Sequence, residues 1–427
     1  MEYLQLIDGD KLNKFRIKIS KRNFFASKRI FKKPKNESKN SIKKFILIFV
    51  LLLLKINNES NHYYLFNKFV TKETVKLFNL NFTKAQYMTK GLEFLNKIKK
   101  SKLNNYTNQI NHPKISVIIP IYNCAKTIEL SVKSINFQNL KELEIILIND
   151  FSKDNSSTVI EELYNYDKRI RIINNKKNMG TLYSRSIGAL TAKGEYIIGL
   201  DNDDLFLCED ILETVYINAR INNFDIVEIK SLNIPNYSPS YKQIRNGNFI
   251  YHPNNLILYQ PKLGRFSITR KNKLAFKDHF AWGKCIKSKI YKKAVNNLGY
   301  QRYSTYNCWT EDMSMVFVLF NTARSFIFLN LFGILRLISK TTTTHKLSKK
   351  HKFLSGIFFL GILFDFSKND MKTKGYVAQQ TLRFSLKNIN KLDSNDKLYF
   401  KSIIKKLIEC KFLSKQYKFK LIKKFHY

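Results

Sequence analysis

The 427-residue sequence predicts an α/β fold, a mostly parallel sheet flanked by helices, set between a basic N-terminal region and a basic C-terminal one. Three observations predict it. Short apolar runs alternate with helix-period segments between residues 114 and 230. The runs are nearly continuous in Ile, Leu and Val, as in strands covered on both faces. Acidic and amide residues gather just past their carboxyl ends, where open α/β sheets bind ligands.

In chain order, ISVIIP (115–120) reads as the first strand. A helix follows over about 126–138, with Ile128, Val132 and Ile135 on one face. LEIILIND (143–150) is the second strand, and SKDNS supplies capping residues for a helix over 159–166. RIRIIN (169–174) is the third strand, before a helix near 181–191. EYIIGLD (195–201), a helix over about 209–222 and FDIVEIK (224–230) complete the alternation.

Composition bounds what the chain can be. Hydrophobic residues make up 44% and aromatic residues 14%, which excludes wholesale disorder, a collagen and a polytopic membrane fold. The five cysteines form no CxxC pair, against a disulfide scaffold or a structural zinc site. Lys and Arg number 75 against 32 Asp and Glu, a net +43. No nucleic-acid-binding motif accompanies that charge, and Lys, Asn, Ile and Phe are abundant along the whole chain, so no nucleic-acid partner is expected.

Residues 1–44 form a basic tail with fourteen Lys or Arg and four acidic residues. They lead into FILIFVLLLL (45–54), and residues 45–56 are expected to be a signal-anchor helix. Ten helical residues reach only about 15 Å of a roughly 30 Å hydrocarbon core. Spanning therefore needs Lys43, Lys44 and Lys55 to snorkel, and an amphipathic or buried helix is the alternative. If the segment spans, the basic flank stays cytosolic and the remainder crosses, a single-pass type II membrane arrangement. Sequons at Asn58, Asn81, Asn105 and Asn236 fit that topology. Residues 57–112 read as a stem, with a helix over about 84–102 that has Leu92, Leu95 and Ile98 on one side.

The strand ends carry the chemistry. The first strand exits into Pro120-Ile121-Tyr122-Asn123, the second at Asn149-Asp150, and the run ending at Leu200 exits into Asp201-Asn202-Asp203-Asp204. Each acidic group alone could cap a turn. Together they form a rim whose repulsion a cation would offset, and a DxD set suits Mg²⁺ or Mn²⁺ with positions left for phosphate. There is no GxGxxG after the first strand and no GxxxxGK[ST].

Taken in order, ISVIIPIYN, EIILINDFSKDNS, Asn178-Met179-Gly180 with Arg185-Ser186, KGEYIIGLDNDD and TEDM resemble the family 2 glycosyltransferases of GT-A (Rossmann-like) fold. The resemblance is dense over 114–230 and thinner to about 345. It implies a GT-A domain over 113–345, with a nucleotide-binding half (113–230) and an acceptor half (231–345). It further implies that Pro120, Tyr122, Asp150, Asn178, Gly180, Arg185 and Asp201 bind the nucleotide-sugar. Asp203, with Asp201, would hold Mn²⁺ or Mg²⁺, and Asp204 would support them. Asn149 departs from the family's Asp-Asp-x-Ser. Asp312, beside Glu311, would be the catalytic base, although acids are also common at a helix N-terminus. Trp282, in HFAWGK, would stack on an acceptor sugar, or else belong to the core.

The implied activity is transfer of a sugar from a nucleotide-diphosphate donor, expected to be a UDP-sugar, to a hydroxyl on a glycan, glycoprotein or glycolipid. Inversion is expected, and single-sugar transfer rather than polymerisation, because QTLRF (380–384) lacks the Trp of the synthases' QxxRW. The anchored topology would put the catalytic domain in a lumen, Golgi or ER in a eukaryote. The apolar stretches at 325–339 and 353–366 read as buried packing, and 346–427 as a helical, basic extension. Two alternatives stay open: a degenerate sugar-nucleotide-binding or scaffolding protein, and a basic nucleic-acid-binding protein.

Overall fold

The computed structural model describes residues 84–221, 223–235, 245–246, 256–259, 269–270, 273–274, 281–300 and 311–338, with isolated positions 394, 405, 418 and 419. The basic tail, the expected anchor at 45–56, the stem before residue 84, Thr310 and the C-terminal extension lie outside these apart from the isolated positions. Among the described residues, no helix is long and apolar enough to cross a membrane. All described elements fall in one compact unit, Asn79–Tyr427.

Helix α1 (Lys84–Lys100) comes first. Its buried stripe is Tyr87, Met88, Phe94, Leu95 and Ile98, whereas Leu92 stays half-exposed. Two of the three expected residues, Leu95 and Ile98, are thus buried, and Gly91 lies close to Leu207, 3.1 Å from where a Cβ would sit. After α1, the chain docks through Tyr106, whose ring lies 3.4 Å from the Arg169 guanidinium. Arg169 is itself paired with the buried Asp167 at 2.6 Å.

The parallel part of the sheet is built from β1 (Ile115–Ile121), β2 (Leu143–Asn149), β3 (Ile170–Asn174) and β4 (Tyr196–Gly199), in the order β3-β2-β1-β4. Every residue of β1 and β2 is buried, as their unbroken apolar runs require. The one acid among them, Glu144, accepts hydrogen bonds from Ser116, Arg171 and the Lys193 amide. Between these strands run α2 (Ile128–Asn136), α3 (Ser156–Tyr166) and α4 (Thr181–Thr191). The stripe Ile128, Val132 and Ile135 on α2 is buried as expected. A Cβ on Gly188 would sit 2.7 Å from Ile118 and 2.9 Å from Ile148, so α4 lies directly on β1 and β2.

The second half is less regular. It runs through β5 (Asp204–Phe206), α5 (Ile211–Ile221), β6 (Ile226–Pro235), β7 (Arg245–Asn246), β8 (Leu256–Tyr259), β9 (Thr269–Arg270), β10 (Lys273–Leu274) and β11 (Lys284–Lys287). It continues with α6 (Ser288–Leu298), α7 (Glu311–Thr322) and β12 (Ser325–Ile338). The sheet extends as β4-β11-β6-β12-β5, with β7 on β6, β8 on β12, and β9-β10 forming a separate pair. Strand β11 is antiparallel to both neighbours, so the sheet is mixed rather than parallel throughout.

Two features of this half build the rim. Strand β12 lies between β6, which it pairs in parallel, and β5, which it pairs antiparallel, opposing Arg336 to Asp204. The segment after Leu200 is therefore a turn into a strand, not a loop before a helix. Helix α7 is buried on nearly every side from Ser314 to Phe320 and packs into one apolar cluster with α4 and α6. That packing carries the start of α7 to the carboxyl ends of the parallel strands.

Candidate active site

Four segments converge beyond β1, β2 and β4. Pro120 is buried, and its carbonyl accepts a hydrogen bond from Asn202 at 2.8 Å, while Tyr122 is 44% exposed. The Asn202 carbonyl accepts from Ser131 at 3.0 Å, so the DxD turn is tied to both β1 and α2.

At the end of β2, the Asp150 carboxylate accepts hydrogen bonds from the Met179 and Gly180 amides and from Asn175, each at 2.7 Å. Gly180 is buried at φ 86, a backbone conformation that favours glycine, and caps α4. Asn178 is half-buried in the same loop. In this structure Asp150 thus organises the loop leading into α4. Asn149 donates to Ser157 and Asn174 and accepts from Ser152; a carboxylate at this position could not make the two donations.

Arg185, three residues before Gly188 on α4, joins the two acidic groups. Its guanidinium donates to Asp201 Oδ1 at 2.6 Å and, through the other terminal nitrogen, to Asp312 Oδ1. Its side chain is 6% exposed, against 29% for Asp201 and 24% for Asp312. Burial opposes the cation, yet Asp312, Asp201 and Glu311 together hold its pKa above the ordinary guanidinium value.

Glu311 and Asp312 occupy the first turn of α7. Removal from water, then repulsion from Asp312, pushes Glu311 up to about 8, with a hydrogen bond to Thr181 opposing the shift. Asp312 is also raised, by burial, with Arg185 pulling the other way. The folded protein therefore holds the Glu311 proton more tightly than the unfolded chain. That contribution to stability is complete below pH about 4.5 and is lost as pH rises through about 8. Glu311→Gln should melt at nearly the wild-type temperature at pH 5 and above it at pH 8. Parallel pH dependence of the two melting temperatures would refute the shift.

Asp201, Asp203 and Asp204 bring ligand oxygens within 4.8 Å of one another. Burial and the Asp201 charge push Asp203 up to about 6. Asp204 is buried, with Oδ2 lacking a hydrogen bond and lying 3.5 Å from Arg336 Nε. Three crowded carboxylates, with Asp204 turned to Arg336, fit a hard divalent cation held by Asp201 and Asp203.

Trp282 differs from an open sugar platform: it is 2% exposed, bridges to Gly199, and lies under the Arg336 guanidinium at 4.9 Å. His279 lies outside the described residues. Motif reading missed Asn175, which holds Asp150, and Arg336, which faces Asp204. The available signal for Arg336 was a lone charge within an apolar strand.

The profile of the family described as Glycosyl transferase family 2 matches residues 116–286. Over that segment the chain is similar to the family 2 glycosyltransferases. Glycosyltransferase GlyG of Streptococcus pneumoniae is 34% identical over 138 residues, 32% of this chain and 43% of GlyG. A cholesterol galactosyltransferase of Borreliella burgdorferi is 42% identical over 114 residues, 27% of this chain and 31% of that protein. The chain thus spans less than half the length of these curated relatives. Residues 1–349 of S. aureus TarS, solved with UDP-GlcNAc, superpose with a TM-score of 0.51 at 14% identity, over 69% of this chain and 81% of that one. At that identity the likeness speaks to the GT-A fold alone.

Proposed function

We propose that this chain is a metal-dependent, inverting glycosyltransferase that moves one sugar from a UDP-sugar to a hydroxyl of a glycan, glycoprotein or glycolipid. One observation carries the reading: Arg185 bridges Asp201, on the DxD turn, to Asp312, on the acidic pair. A donor-side group and a base thereby share one cation at the carboxyl ends of the parallel strands. The relatives' names and the UDP-GlcNAc bound by TarS support the reaction class and the donor.

Asp203 and Asp201 would hold Mn²⁺ or Mg²⁺, which when bound supplies positive charge for the departing diphosphate. Pro120, Tyr122 and the Asp150-organised loop with Asn178 and Gly180 bind the nucleotide. Asp312 takes the proton of the acceptor hydroxyl as its oxygen attacks the anomeric carbon from the face opposite the diphosphate. The carbon–oxygen bond to the diphosphate breaks through an oxocarbenium-like state, which inverts the centre. Arg185 opposes the burial that raises Asp312 and so favours its carboxylate for that step, while Glu311, pushed up to about 8, retains its proton at neutral pH and adds no second negative charge. The basic tail and the apolar run at 45–54 support a membrane anchor, with the domain on the far side.

The test is nucleotide release by the full chain from a panel of sugar nucleotides, with and without Mn²⁺. Metal-dependent release from one donor is expected, reduced by about 10²-fold or more in Asp203→Asn. Release that ignores both the metal and the substitution would remove the metal from the mechanism. Absence of both release and UDP binding in a folded chain would remove the transferase reading.

A further inference from the structure

Four large hydrophobic side chains are exposed among the described residues: Tyr122, Phe151, Tyr166 and Phe419. Two of them, Tyr122 and Phe151, leave the sheet at neighbouring strand ends. Ile121 pairs with Asn149 at the last register position of β1 and β2, and the Asp150 amide donates to the Ile121 carbonyl at 2.8 Å. Tyr122 thus follows one paired residue, and Phe151 stands two past the other, directly after Asp150.

Phe151 sits at φ 62, and Asn123, on the facing loop, at φ 49. Asparagine tolerates this left-handed region; a bulky aromatic residue there is an outlier that its surroundings must enforce. Hydrogen bonds between the two loops enforce it. The Asn123 amide donates to Ser152 at 3.2 Å, and the Lys153 amide donates to Asn123 Oδ1 at 2.7 Å. The Cys124 and Ala125 amides donate to Ser156 and Asp154 at 2.8 and 3.1 Å. The two loops are laced together, and the aromatic ring is held out from them at 41% exposure. Lys153 Nζ lies 3.6 Å from the ring centroid and covers one face of it.

We propose that Phe151 is a stacking platform for the nucleobase of the donor, with its ring held ready by the strained β2–α3 loop. The inference rests on the nucleotide-donor reading above and adds to it a specific base-contacting residue. An exposed aromatic face is costly in water and is the surface on which a planar heterocycle stacks. Its neighbour Asp150 uses three of a carboxylate's roughly four acceptor sites, leaving one for a base. Lys153 covers one ring face, which leaves the other for the base, and brings a cation near an anionic ligand.

Binding of UDP and of inorganic pyrophosphate to the full chain, both with Mn²⁺, tests this in Phe151→Gly, Phe151→Leu and Phe151→Tyr. Glycine is at ease at this φ, so Phe151→Gly should melt higher than wild type yet bind UDP about tenfold or more weakly. Phe151→Leu should show the same loss of UDP affinity, Phe151→Tyr should restore it, and pyrophosphate affinity should stay level throughout. Wild-type UDP affinity in both Phe151→Gly and Phe151→Leu would overturn the proposal. Equal losses for UDP and pyrophosphate would overturn it too, since they would report a disturbed loop. A wild-type chain that binds pyrophosphate but not UDP, or neither, would overturn the donor reading and this inference with it; loss confined to the Phe151 variants leaves that reading intact.

Discussion

Asp312→Asn is expected to lower sugar transfer by about 10²–10⁴-fold while leaving UDP affinity essentially unchanged. The substitution keeps the shape of the side chain and an oxygen that can accept from Arg185, so the first turn of α7 and the Asp201 contact should persist. What it removes is a group able to take the hydroxyl proton. The wild-type rate should fall on the acid side as Asp312 is protonated. Burial raises that limb and Arg185 restrains it. The residual rate of the variant should lack the limb. Transfer at the wild-type rate in Asp312→Asn would show that the proton goes elsewhere, with Glu311 the next group to substitute.

Arg185→Met should cost about 3–5 kcal/mol of stability, the range for removing one partner of a buried ion pair. The cost falls at this position because the guanidinium is nearly excluded from water and answers two carboxylates at once. Without it Asp201 and Asp312 face each other and Glu311 with no cation between them. Arg185→Lys should recover only part of the loss, since a single ammonium cannot fork between two acceptors. Adding Asp312→Asn to Arg185→Met should also return part of it, because one stranded charge is gone, and a double-mutant cycle measures the coupling. A melting temperature for Arg185→Met equal to that of wild type would mean that the bridge contributes nothing to the fold.

These expectations divide along a line that also divides what was legible in the chain. Helix α4 runs from Thr181 to Thr191, where the alternation of strands and helices puts it. Strands β1 and β2 occupy their apolar runs residue for residue or nearly so. Such elements depend on local periodicity, and local periodicity is written in consecutive residues. The candidate site residues were legible through the order of short motifs along the chain, and the acids do gather at the strand ends. Strand β11 was not legible: KCIK is four residues long, half of them lysine, and only its neighbours β4 and β6 make it a strand. Of Leu92, Leu95 and Ile98 on α1, Leu95 and Ile98 are buried as expected, while Leu92 is half-exposed and the stripe widens to Tyr87, Met88 and Phe94, with Tyr87 against Phe332.

By itself the sequence determined the alternating α/β plan, the absence of a dinucleotide or P-loop motif, and the acids that a cation site needs. The tertiary structure alone decided which of these groups touch. Arg185 and Asp312 are 127 residues apart and meet because α7 packs on α4. Trp282, Arg336 and Asp204 come together because β12 lies between β6 and β5, so that Arg336 opposes Asp204 across the sheet. Contacts between distant segments follow from how whole elements pack, and no window of neighbouring residues encodes that packing.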